Sequence, residues 1–125
     1  MAEGFEAVFA ALKGVMEKHS ERLLVGADTA ARFSLNSHAP SPFPQHKGQP
    51  MWFGEVRLGK AYVSYHLMPL YMNPALEKTI SAELKKHMQG KTCFNFKKEP
   101  EGALLKELDA LTTAALLDWD SKHWV

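Results

Sequence analysis

The sequence predicts a single α+β domain. About five strands would form a sheet that packs with N-terminal, middle and C-terminal helices. Three observations carry this. Apolar residues recur at three-and-four spacing near both ends of the chain, the period of an amphipathic helix. Between Met51 and Met68 two runs of alternating character flank Gly59-Lys60, the pattern of a hairpin. Between Gly90 and Pro100, Thr92, Phe94 and Phe96 alternate with Cys93, Asn95 and Lys97, as a half-buried strand does.

The elements follow in order. From Ala2 to about Leu24 a helix is expected, with Phe5, Val8, Phe9, Leu12, Val15 and Met16 on one stripe and Gly26 as its stop. Arg32 to Asn36 alternates like a short strand. His38 to Pro50 holds four of the seven prolines, which disfavours helix and interior strand alike, so a long extended loop is read there, packed down through Phe43. Gly59 suits the first position of a two-residue type II′ turn. That register pairs Val56 with Val63, Gly54 with Tyr65 and Trp52 with Leu67 on an apolar side, and Glu55 with Ser64 and Phe53 with His66 on the other. Pro69 interrupts the run, and Leu70 to Met72 reads as a further short strand. Asn73-Pro74 then caps a helix over "ALEKTISAELKKHMQ", with Gly90 as its stop. "KTCFNFKK" is the strand described above. Pro100 opens a last helix with Leu104, Leu105, Leu108, Leu111, Ala115, Leu116 and Trp119 on one stripe. No repeat or composition break divides the chain, so residues 1–125 are read as one domain, long enough to bury a core without staples.

Composition bounds the function classes. Hydrophobic residues at 46% and charged residues at 23% describe a globular chain. Fifteen basic residues against fourteen acidic ones leave a net charge of +1, so no global field recruits nucleic acid or an anionic membrane. The single cysteine excludes an internal disulfide. The acidic start and broken apolar run of "MAEGFEAVFAALKG" are unlike a secretory leader, and no apolar stretch approaches the roughly 20 residues of a membrane helix. A cytoplasmic setting is the expectation.

The segments "LMPLYMNPALE" and "GKTCFNFKK…LLKELDALT" give the chain a likeness. In the order of its elements it resembles the YdhG-like family of small bacterial domains of unknown function, over roughly residues 30–117. Tyr71, Asn73, Pro74, Gly90, Lys91, Thr92, Phe94 and Phe96 match the family's outline, although Tyr71-Met72-Asn73-Pro74 is looser than its usual turn. The resemblance implies a curved antiparallel sheet covered mainly on one face by helices. Some relatives are described as frataxin-like iron chaperones, which implies intracellular iron handling as an alternative function. Such a role needs a dense acidic surface, and here acids and bases balance.

No stretch carries a catalytic signature: phosphate loop, nucleophile elbow and dinucleotide fingerprint are all missing. The reading leans against an enzyme, with an enzyme of unknown reaction kept as an alternative, and it implies no cofactor. The six histidines, His19, His38, His46, His66, His87 and His123, lack helix-borne or finger-type spacing, so no metal set is read from them. Cys93 reads as a small semi-buried strand residue. Lys91 and Lys97 form a weak candidate anion site, with Lys85, Lys86 and Lys98 nearby, but helix and strand ends explain each lysine separately. The strongest candidate is an aromatic groove of Met51, Phe53, Tyr62, His66, Met68 and Tyr71 on the second hairpin face. Such a face fills a core or binds an apolar or aromatic group. The function expected is a binding module for a small molecule or protein partner, a second copy of the chain among them.

Overall fold

The buried stripe of helix α1 (Phe5–Glu17) is the one the spacing predicts, Phe5 through Met16, but the helix ends earlier than expected. After Met16 the next positions on that stripe are His19, which is bound to Asp109 at 2.8 Å, and Ser20, so the apolar stripe ends there. A 3₁₀ turn (Ser20–Arg22) follows, Leu23 enters the core, and β1 (Leu24–Asp28) begins where the sequence suggested a helix end. The computed structural model describes residues 4–40, 45, 47, 50–90 and 92–124. The expectation for Phe43 falls outside them.

Five more strands complete one antiparallel sheet: β2 (Arg32–Pro40), β3 (Pro50–Leu58), β4 (Val63–Leu67), β5 (Met88–Gln89) and β6 (Cys93–Phe96), in the order β1-β2-β3-β4-β6-β5. β2 runs four residues beyond the predicted Asn36. Among the described residues β1 pairs with Phe33 to Asn36, so Pro40 lies beyond the stretch of β2 that β1 covers, where a missing N–H costs little. Between β4 and β5 come three short helices, α2 (Pro69–Met72), α3 (Pro74–Glu77) and α4 (Ala82–Lys85), and the chain closes with α5 (Gly102–Ser121).

Leu70 to Met72 is therefore a helical turn and not a strand, because Pro69 sits at its first position with a φ that suits a helix start. Asn73 caps α3 as expected, accepting the Ala75 N–H at 3.1 Å. The long middle helix predicted from its stripe breaks in two. Ser81 caps again at Leu84 N–H (3.1 Å), and the Glu107 carboxylate of α5 receives both the Ser81 N–H (2.7 Å) and its hydroxyl (2.6 Å). Met88-Gln89 then turns back as β5 through Gly90, whose φ of +74° favours glycine.

The hairpin departs from its predicted register. Gly59 does not take positive φ. A four-residue loop, 59–62, closed by the Gly59 N–H donating to Tyr62 O at 3.0 Å, replaces the type II′ turn. Val56 pairs with Tyr65 and Leu58 with Val63, a slip of two residues that preserves the faces near the turn. Farther along, a bulge reverses them. Leu35 pairs with Gly54 but Asn36 pairs with Trp52, so Phe53 is the extra residue. Phe53 turns into the core beside Gly54, and Trp52 turns out, the reverse of the assignment by strict alternation.

The helices pack on the face of Phe33, Leu35, Met51, Phe53, Val56, Val63, Tyr65, Leu67, Phe94 and Phe96. α1 crosses β3 and β4 and touches α5. Gly54 permits this approach: a Cβ there would meet Met16 Cε and His66 O, each at 2.8 Å. On α5, Leu108, Leu111, Ala115, Leu116 and Trp119 are buried, Trp119 edge-on to Phe53 with centroids 5.4 Å apart. Thr112 interrupts the apolar stripe and accepts the hydroxyl of buried Tyr65 at 2.6 Å, donating its own to Leu108 O at 2.7 Å. Among the described residues no helix is long and apolar enough to cross a membrane.

Candidate functional site

The opposite face of the sheet is polar. Strand pairing builds it in two rows across the strands: Ser34, Glu55, His66, Cys93 and Gln89 in one, and Arg32, Arg57, Ser64 and Asn95 in the other. Residues paired across antiparallel strands share a face, so these rows follow from the register. Trp52, re-aimed by the bulge, lies over the first row with its ring 5.7 Å from that of His66. The hairpin loop rises beside the second row. The loop and the strand rows border a shallow depression of about 1050 Å³ whose lining includes Arg57, Tyr62, Ser64, His66, Gln89 and Cys93, with no helical residue among them; Trp52 reaches it only through His66.

Its centre is a thiol and an imidazole. Cys93 Sγ lies 3.5 Å from His66 Nε2 and 3.1 Å from Asn95 Oδ1, and Asn95 Nδ2 donates to Gln89 Oε1 at 2.6 Å. Burial pushes the Cys93 thiol up to about 11. Burial also lowers His66, opposed by the Glu55 carboxylate and assisted by the Arg57 guanidinium. At neutral pH the pair is a thiol beside a neutral imidazole, which can give and accept hydrogen bonds but carries no charge. Glu55 is paired with Arg32. Arg57 and Lys60 have no ion-pair partner among the described residues and supply the positive charge of the rim.

Of the residues the sequence placed in one groove, the structure brings only Tyr62 and His66 together. Met51 and Phe53 are in the core under the helices. Met68 is half-buried against that core, and Tyr71 lies exposed on α2, off the sheet face. The Phe53 bulge accounts for the first pair, and the helical turn after Pro69 for the second. Lys91 lies outside the described residues. Lys97 borders a second depression, about 900 Å³, between β6, α4 and the start of α5, where His87 stacks on Phe96 at 4.5 Å and Lys98, Glu101 and Glu107 also contribute. Trp52, Arg57, Asn95 and Gln89 were not foreseen as site residues. The signal for Asn95 and Cys93 was present: with Phe94 and Phe96 facing the core, both must share the face of Ser64 and His66.

No family model, curated protein or solved structure matches the chain.

Proposed function

We propose that this chain is a binding module whose ligand sits on the polar sheet face, in the depression lined by His66, Tyr62 and Arg57. The observation that carries this reading is the segregation of the fold. The described helices pack on one face, and the other gathers a half-buried histidine and cysteine in a depression, with a half-buried tryptophan against the histidine, where solvent contact alone would favour ordinary strand polars. The rim favours a small planar anion: Arg57 and Lys60 offer charge, Tyr62 offers a ring face, and Ser64, His66 and Gln89 offer hydrogen bonds that fix orientation. A helix-covered antiparallel sheet is also what the YdhG-like likeness implies, and we propose membership of that family on this ground. Its iron-handling alternative has less support, since no group of three His, Cys, Asp or Glu side chains converges among the described residues.

A fragment screen by NMR on isotopically labelled protein, using aromatic carboxylates, tests the reading. Binders should shift the resonances of Tyr62, Ser64, His66 and Cys93, and Arg57→Ala should weaken them. Binders that shift only residues around His87 and Lys97 would move the site to the second depression, and a set with no binder at either place would remove the small-molecule reading. Self-association that shifts the same sheet-face resonances would identify a second copy as the occupant.

A further inference from the structure

We propose that the ligand of the polar sheet face carries, besides its anionic group, a hydrogen-bond donor that His66 Nδ1 receives, because a chain of hydrogen bonds through Asn95 and Cys93 holds the imidazole proton on Nε2. The ligand class is an aromatic carboxylate that also bears a hydroxyl or a ring N–H. This rests on the binding reading above and adds to it the polar group that the ligand must present.

The chain starts at Gln89. Asn95 Nδ2 donates to Gln89 Oε1 at 2.6 Å, which leaves Asn95 Oδ1 toward Cys93. An amide oxygen only accepts, so the Cys93 thiol gives its single proton to that oxygen, at 3.1 Å. The sulfur then has only lone pairs to offer His66 Nε2, 3.5 Å away, and Nε2 must be the donor. Strand pairing sets this order: His66 lies opposite Cys93, and Asn95 follows two residues along on the same face. Burial pushes the thiol up to about 11, so its proton stays in place at neutral pH. Burial also lowers His66, with Glu55 opposing and Arg57 assisting, so the ring holds one proton and not two.

With that proton on Nε2, Nδ1 is an acceptor. It has no hydrogen-bond partner among the described residues and is open to solvent, on a residue that lines the depression. A carboxylate oxygen placed against it would set lone pair against lone pair, whereas a hydroxyl or N–H is bound. The anionic group therefore belongs on the side of Arg57 and Lys60, and the donor on the side of His66. The hydroxyls of Ser64 and Tyr62 rotate to give or to accept, so they do not discriminate. His66 is thus the specificity-determining residue, and Asn95 is a positioning residue that acts on it through Cys93.

Long-range nitrogen–proton NMR correlation on the labelled parent at pH 7.5 reads which ring nitrogen carries the proton, and it needs no ligand. Nε2 should be protonated and Nδ1 bare. Asn95→Ala removes the acceptor of the thiol, frees its proton for His66 Nε2 and should shift the ring proton toward Nδ1, whereas a merely structural asparagine would leave the tautomer alone. Asn95→Leu, closer in volume, takes its place if the alanine variant does not fold, and the parent measurement stands by itself. The ligand is tested by NMR titration with 3- and 4-hydroxybenzoate and with their methyl ethers, which keep the carboxylate and lose the donor. The better-placed hydroxybenzoate should bind roughly 3- to 10-fold tighter than its ether, the size of one neutral hydrogen bond, and His66→Phe should remove the difference. A proton on Nδ1 in the parent, as when both amides are turned over and every donor in the chain reverses, overturns the proposal. Ethers that bind the parent as well as the hydroxybenzoates do so too, and either result leaves the binding reading standing. Failure of all four probes to shift any residue of the depression overturns the ligand class together with that reading.

Discussion

Replacing Phe53 by alanine should destabilise the fold far more than replacing Trp52, although tryptophan is the larger side chain and alternation would put it in the core. Phe53 has no exposed surface and meets Trp119 edge-on at 5.4 Å. Truncating a fully buried phenylalanine costs about 3–5 kcal/mol through lost transfer energy and the cavity left behind. The edge-on contact places this site toward the upper half, about 4 kcal/mol. Trp52 is half-buried, and among the described residues its ring meets that of His66, so Trp52→Ala should cost about 1–2 kcal/mol. For a chain of this length the unfolding entropy is about 0.26 kcal/mol/K, so the two variants should lower Tm by roughly 15 °C and roughly 6 °C. Urea denaturation followed by circular dichroism gives the free energies, provided m is unchanged. Phe53→Leu, expected to cost about 1–1.5 kcal/mol, keeps the comparison measurable if the alanine variant is largely unfolded. A Trp52→Ala cost equal to or above that of Phe53→Ala would refute the bulge and restore strict alternation through β3.

Three other outcomes are expected. The Cys93 thiol, pushed up to about 11 by burial, is about 0.01% thiolate at pH 7, so after allowing for the greater nucleophilicity of a high-pKa thiolate its alkylation should run roughly 20-fold slower than that of a free cysteine. The rate should rise tenfold per pH unit toward that value, and rapid stoichiometric labelling at neutral pH would contradict it. His66, faced by Trp52, Glu55, Arg57 and Cys93, is lowered chiefly by burial, so its contribution to stability is fully present above pH 6.5 and is lost as pH falls through the folded value. Between pH 7.5 and 5 the parent should lose more stability than His66→Gln, and an imidazole titrating by NMR at or above 6.5 would oppose this. Gly54→Ala should cost about 1–3 kcal/mol by overpacking, and adding Met16→Ala should recover only part in urea denaturation, because the His66 carbonyl, also 2.8 Å away, is backbone.

Much of the fold was legible because its signals are local. The stripes of α1 and α5, the two-faced hairpin and the alternation of Cys93 to Phe96 each report one element's own burial. β1 was not legible: "LVGAD" is an edge strand with four of its five residues exposed, so burial imposed no alternation on it. The break between α3 and α4 depends on Glu107, 26 residues away, capping Ser81. The site was half legible. Alternation within β4 and β6 assigns His66, Ser64, Cys93 and Asn95 to faces correctly, but the pairing that sets Cys93 beside His66 and not Ser64 is a property of two strands together. The bulge is hidden for a related reason: "MWFGE" holds three large apolar residues in a row, and which of them faces the core is settled by Trp119 on a helix far along the chain.

The bulge also joins the core to the chemistry of the polar face. In a regular strand, Trp52 would share the face of Gly54 and Val56, leaving Phe53 on the polar side. The extra residue lets Phe53 enter the core against Trp119 while Trp52 lies over His66. A tryptophan at that place excludes water from one side of the imidazole, and loss of water is the main cause of its lowered pKa. The neutral state of His66, which lets it serve as an acceptor for a ligand, therefore depends on how the opposite face of the sheet is packed. It follows that Trp52→Ala should raise the His66 pKa toward its ordinary value with little loss of structure. Phe53→Ala, which frees space in the core, should let the strand relax toward regular pairing and disturb His66 from the other side of the sheet. An NMR titration of His66 in both variants separates a site that depends on the bulge from one that merely lies near it: an unchanged His66 pKa in both would break the link.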